Sequence, residues 1–172
     1  MDSGVITRKR IYEEILMNPG LHFRELQKRL NMPLGMLEYH LQVLEREGLI
    51  VSKMDGKYKR FFADRSMTRE ERRVMGSLRN EIARKIVIFL IENGKARHRE
   101  IASKLNIRAS TLSYHLSKLV KAGILAREIE GRENYYMVIN PDRVAAIIIK
   151  YRKSFLDELV DNFARWYLSE RK

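Results

Sequence analysis

Leucines spaced four and then three apart occur twice in this chain. They are Leu37, Leu41 and Leu44 in LEYHLQVLEREGLI (37–50), and Leu112, Leu116 and Leu119 in LSYHLSKLVKAGIL (112–125). This spacing keeps one side of a helix apolar, and the glycine in each stretch stands where a helix C-cap falls. Two further helical patterns precede each stretch. The first pair is RKRIYEEILMNPG and NEIARKIVIFLIENG, each ended by a turn with glycine. The second pair is HFRELQKRLN, with Phe23, Leu26 and Leu30 in helical register, and RHREIASKLN, with Ile101 and Leu105. After each third helix come two short apolar runs around Asp55-Gly56 and Glu130-Gly131, the pattern of a β-hairpin.

Superposing His40 on His115 extends without a gap from Ile11/Ile86 to Ala63/Val138. Identical pairs include Asn18/Asn93, Arg24-Glu25/Arg99-Glu100, Leu30-Asn31/Leu105-Asn106, Gly48/Gly123 and Gly56/Gly131. The chain therefore holds a duplicated unit, and two copies do not make a solenoid. Helix, helix, tight turn, helix and two-stranded wing is an order that resembles the winged helix-turn-helix family. The frame Tyr-His-Leu, leucine, glycine and Leu/Ile looks most like the ArsR-like branch of prokaryotic transcriptional regulators, present in tandem over residues 8–140. The resemblance implies two tandem winged helix-turn-helix domains, and with the tail read below the expected fold is mainly α with small β-wings plus a long C-terminal helix. The expected division is 1–66 for domain 1, 67–140 for a helical linker and domain 2, and 141–172 for a C-terminal amphipathic helix that is a candidate for dimerisation.

Between the units, residues 64–80 carry a capping box, Thr68 with Glu71, which predicts a helix running on into the first helix of unit two. Such a linker would hold the two third helices about one DNA turn, roughly 34 Å, apart. In the tail, Asn140 is an N-cap and Pro141 the first helical residue. Val144, Ile148, Tyr151, Phe155, Leu159, Phe163 and Trp166 then form one stripe, widened by Ile147, Leu156, Val160 and Tyr167. The mean step near 3.67 residues predicts one straight helix of about 28 residues. Its broad apolar face implies a homodimer interface, with packing over the chain's own domains as the alternative.

Charge sharpens this picture. The chain has 34 Lys and Arg against 22 Asp and Glu, a formal net charge of +12. Nucleic acid is the first partner such a balance favours, ahead of an acidic membrane; the bland reading is the solvated surface of a heat-adapted protein. The 172 residues contain no cysteine, which excludes disulfides, thiolate metal sites and a cysteine nucleophile. There is no apolar run of transmembrane length, and MDSGVITRKRIYEE has no apolar leader core, so a soluble cytoplasmic protein is expected. Enzyme motifs are missing too: no Gly-rich phosphate loop, nucleophile elbow or HExxH. The expectation is a non-enzyme without cofactor or metal.

On a 100° helical wheel centred on the leucine row, the outward face of unit two's third helix collects Ser110, Thr111, Tyr114, Ser117, Lys118 and Lys121, with Ser113 nearby and Arg108 opening the helix. Each can reach a base edge or a phosphate, and the helix N-terminus can hold a phosphate. In unit one the same wheel turns Gly35, Met36, Tyr39, Gln42, Val43 and Arg46 outward, and Glu38 replaces Ser113. That face is poorer in donors; it fits DNA through Tyr39, Gln42 and Arg46, and it fits protein equally. Unit one's wing offers Lys53, Lys57, Lys59 and Arg60. Unit two's offers Arg127 and Arg132 diluted by Glu128, Glu130 and Glu133. Residues 68–140 carry 15 Lys/Arg against 8 Asp/Glu, and residues 1–67 carry 12 against 9. Arg69, Arg72, Arg73, Arg79, Arg84 and Lys85 contribute to the excess and are candidates to track a DNA backbone. His40 and His115 fall on a flank of their helices, which favours a structural role or a phosphate contact over metal ligation. The whole reads as a sequence-specific double-stranded DNA-binding transcriptional regulator. The alternatives are a winged-helix scaffold in a chromosome-organising or transcription complex, and a non-specific architectural DNA binder.

Overall fold

The computed structural model describes residues 2–63 and 67–170, so residues 64–66 of the stretch read as a linker lie outside the described residues. The chain divides into two compact units, Met1–Gly76 and Ser77–Lys172. This differs from the division at 66/67 read from sequence, and the C-terminal segment belongs to the second unit.

Unit one begins with α1 (Ser3–Met17), α2 (Phe23–Leu30) and α3 (Leu34–Arg46), followed by a hairpin of β1 (Ile50–Asp55) and β2 (Tyr58–Ala63). The shared Glu25 caps α2: its carboxylate accepts from the His22 N–H at 3.2 Å, while its own N–H donates to His22 Nδ1 at 3.4 Å. Asn31 ends α2 in the left-handed region at φ 49°, a conformation that asparagine tolerates better than most residues. Asn106 does the same at φ 52°, which explains why both units carry Leu-Asn before the tight turn. Ile11, Ile15, Leu26, Leu37, Leu44 and Ile50 close the core, all nearly inaccessible.

The hairpin pairs Asp55 with Tyr58, so the two-residue loop is Gly56-Lys57 and not Asp55-Gly56. In unit two it is Gly131-Arg132, since Glu130 pairs with Glu133. Of the loop residues only Gly56 (φ 60°) and Gly131 (φ 63°) have positive φ, the pattern of a type II′ turn. A cation, Lys57 or Arg132, thus stands at the second loop position of each wing.

Unit two repeats the plan with α5 (Glu81–Asn93), α6 (His98–Leu105), α7 (Ala109–Lys121), β4 (Leu125–Glu130) and β5 (Glu133–Val138). It also has a strand the sequence pattern did not reveal, β3 (Lys95–Arg97), which pairs antiparallel with β5. Unit one has the same arrangement in shortened form. His22 bridges Arg60, Gly20 donates to the Phe61 carbonyl at 2.9 Å, and Phe61 donates to the Leu21 carbonyl at 3.0 Å.

The predicted capping box of α4 (Arg69–Leu78) is present, with Glu71 N–H on Thr68 Oγ1 at 3.1 Å and Thr68 N–H on Glu71 Oε2 at 3.2 Å. The helix does not run on into α5, however. It stops at Leu78, and the Asn80 side chain starts the next helix by accepting from the Ala83 N–H at 3.1 Å.

The tail is likewise not one helix. It forms α8 (Pro141–Lys150), the short α9 (Arg152–Phe155) and α10 (Glu158–Glu170). Leu156 sits between the last two at φ 52° and is 83% exposed, so it does not widen an apolar stripe. The bend is held by side chains from the start of the unit. Arg79 donates to Ser154 Oγ at 2.6 Å, Arg84 pairs with Asp157 at 3.0 Å, and both guanidinium groups lie over the Phe155 ring. Folded back, Val144, Ile148, Val160 and Phe163 are buried within the unit, where α10 packs on α8 and α5. Tyr167 ties the far end down by donating to Asp142 Oδ1 at 2.8 Å. No helix among the described residues is long and apolar enough to cross a membrane.

Candidate nucleic-acid interface

The side chains of α7 divide as the wheel requires. Leu112, Leu116 and Leu119 are buried, while Ser110, Ser113, Tyr114, Ser117, Lys118 and Lys121 are exposed, Thr111 is half-buried, and Arg108 stands exposed at the N-cap. Arg108 provides no side-chain cap, so it places no side-chain acceptor on the first-turn amides. Ser113 is already engaged, its Oγ 2.9 Å from His98 Nε2. Tyr114 is 63% exposed and packs its ring edge against His115.

On α3, Leu37, Leu41 and Leu44 are buried, and Met36, Tyr39, Gln42 and Arg46 are exposed. Val43, expected outward, is buried. It belongs with the leucine row, and that further reduces what α3 can offer a partner.

The wings change most. In unit one Lys53 and Lys57 are exposed, and Lys57 lies over the Tyr58 ring. Lys59 is exposed as well but reaches Glu45 at 3.4 Å. Arg60 is 8% exposed and faces inward: its Nε pairs with Asp55 at 2.9 Å and its Nη1 donates to the Gly20 carbonyl at 2.9 Å. It fastens the hairpin to the start of α2 and is not a wing-tip contact.

In unit two the carboxylates do not dilute the wing, because β3 and its neighbours neutralise them. Lys95 pairs with Glu130 at 2.5 Å and Glu128 at 3.8 Å. Glu133 is held by Arg97 at 3.2 Å and Arg99 at 2.9 Å. Arg127 and Arg132 remain exposed beside these closed pairs.

The basic residues proposed to track a backbone mostly serve the fold. Arg79 and Arg84 lock the tail, Lys85 pairs with Glu81 at 3.1 Å, Arg72 donates to the Met67 carbonyl at 3.3 Å, and Arg73 is half-buried; Arg69 is exposed.

His40 and His115 are buried at 6% and 9% exposure. Burial, reinforced by Arg8 beside His40 and Lys118 beside His115, pushes both imidazoles below their ordinary pKa. The unfolded chain therefore binds these protons more readily than the folded one. Stability is full above the ordinary histidine range, near pH 6.5, and falls as acid titrates the unfolded state. The expected result is a lower thermal midpoint at pH 5.5 than at pH 7.5, with a flatter dependence in His40→Gln/His115→Gln. An unchanged slope in that variant would count against the assignment. Among the described residues no group of three or more His, Asp or Glu could hold a metal ion.

Three helices with an exposed polar third helix and a paired hairpin, built twice, define a winged helix-turn-helix protein. The chain belongs to the HTH-type transcriptional regulators. Residues 6–75 match a family described as an N-terminal HTH domain, and residues 79–126 match a winged helix-turn-helix DNA-binding family. Two uncharacterized HTH-type transcriptional regulators of Methanocaldococcus jannaschii are similar. One is 38% identical over 133 residues, covering 77% of this chain and 33% of the relative; the other is 40% identical over 63 residues, covering 37% of this chain and 70% of the relative. The chain thus spans about a third of the first relative's length. Among solved structures, HlyU from Vibrio cholerae is 24% identical with a TM-score of 0.43, covering 50% of this chain and 96% of that one. A homodimeric winged helix-turn-helix DNA-binding domain from Mycobacterium bovis, described as a possible ArsR-family regulator, is 20% identical with a TM-score of 0.42. That match covers 62% of this chain and 94% of the other.

Proposed function

We propose that this chain regulates transcription by binding double-stranded DNA with sequence specificity, and that α7 is its principal reading element. The observation that carries this is the outward face of α7. Ser110, Thr111, Ser117 and Lys118 present hydroxyls and an ammonium on a rigid helix, with Tyr114 beside them and Arg108 and Lys121 at either end. Ser113 contributes through its bond to His98. Arg132 of wing two and Lys53, Lys57 and Lys59 of wing one reach the phosphate backbone, and Tyr39, Gln42 and Arg46 add a lesser contact from α3. Its work is binding and not turnover, in the cytoplasm where such regulators meet the genome. The exposed Trp166 and Leu168 support self-association through α10.

Selection of binding sites from random duplexes at about 150 mM salt tests this. The expected ratio of specific to scrambled affinity exceeds about 10³. Salt-steep binding without sequence preference would replace the reading with an architectural one. The selected sites also test the dimer: paired half-sites related by two-fold symmetry support it, and single asymmetric sites overturn it.

A further inference from the structure

Phe23 and Glu38 hold, in unit one, the positions that His98 and Ser113 hold in unit two, at the constant offset of the repeat. In unit two the His98–Ser113 hydrogen bond, 2.9 Å long, bridges the start of α6 to α7. Phe23 has no polar atom with which to make that bridge. In its place unit one has an open groove of about 290 Å³ between the start of α2, the α3 helix and β2. Phe23, Leu34, Leu41 and Phe61 supply its apolar walls, with Leu34 58% exposed at the lip.

Two carboxylates, Glu38 and Glu45, and one cation, Lys59, also line the groove, leaving it net acidic. Glu38 is exposed, and Glu45 is half-buried with Lys59 at 3.4 Å. Their counterparts in unit two are Ser113 and Val120, so both acids are peculiar to this unit. An apolar trough flanked by carboxylates repels phosphate and suits an apolar group next to a cation. Its volume lies just under the range of about 300–1,000 Å³ that encloses a free small molecule. One or two anchoring side chains of a bound segment fill such a space.

We infer that this groove receives a short segment of a partner protein, an apolar anchor side chain flanked by lysine or arginine. A seated segment takes the place of the lesser DNA contacts of Gln42 and Lys59 and leaves Lys53 and Lys57 of the wing open to DNA, so unit one joins a protein to a site that α7 selects. The inference stands on residues apart from the α7 reading face and holds or fails separately from it.

The test is selection of displayed random peptides on the full chain, followed by titration of the enriched peptide against wild type and Phe23→His/Glu38→Ser, which transplants the bridging pair of unit two. Enriched peptides should pair a large apolar residue with Lys or Arg and lose at least about tenfold in affinity on the variant. The wild-type amide shifts they cause should cluster at Phe23, Leu34, Leu41 and Phe61. That mapping decides the matter if the variant fails to fold. No enriched apolar–basic motif, shifts centred elsewhere, or equal binding to the variant overturns the proposal.

Discussion

Ser110→Ala combined with Lys118→Ala is expected to weaken binding to the selected DNA site by about 10²-fold. A good base-edge contact contributes about 1–3 kcal/mol of discrimination, and a lysine on a phosphate adds about one to the slope of affinity against salt. Both side chains are exposed on α7, so the thermal midpoint at pH 7.5 should hold. The paired control is Met36→Ala with Gln42→Ala on α3, expected to lose less than about fivefold. Fluorescence titrations with the selected and a scrambled duplex measure both losses. A larger loss in the α3 pair would transfer the reading role to unit one.

The second large effect falls on stability. Arg60→Met removes the ion pair to Asp55 and the bond to the Gly20 carbonyl in a site where Arg60 is 8% exposed. Removing one partner of a buried ion pair costs about 3–5 kcal/mol. For a unit of this size the thermal transition should drop by about 10 °C or more. Lys57→Met, one loop position past Gly56, should leave that transition unchanged and lower only the salt slope of DNA binding. Calorimetry together with salt titrations separates the two. If Arg60→Met kept its transition and lost DNA affinity, the inward assignment would be wrong.

These contrasts show where local pattern was enough. The leucine rows, the shared Leu-Asn and the Thr68–Glu71 box are signals within one turn or two of helix, and each element formed where its spacing placed it. The outward face of α7 followed from the same periodicity. What escaped the sequence depends on partners far along the chain. Arg60 looked like one of four wing cations, because nothing adjacent to it announces that the Gly20 carbonyl, forty residues earlier, waits for it. By sequence the acids of wing two dilute its charge, but Lys95, 35 residues before Glu130, pairs with it. An ideal wheel turns Val43 outward, yet it is buried among neighbours the wheel does not contain. The tail misled for a related reason. Neither Gly nor Pro marks Leu156, yet it adopts a left-handed conformation because Arg79 and Arg84 hold the turns around it and α10 gains a buried face by folding back.

The third strand sets an order of events during synthesis. Lys95–Arg97 lies between α5 and α6 but pairs with Tyr135–Met137, which emerges only after α7 and β4. A nascent chain that has released α5, α6 and α7 still holds an unpaired strand between its helices, and Lys95 and Arg97 still lack Glu130 and Glu133. In unit two, closure of the wing is therefore the step that pairs this strand, and α8 and α10, translated later still, pack onto the unit after it.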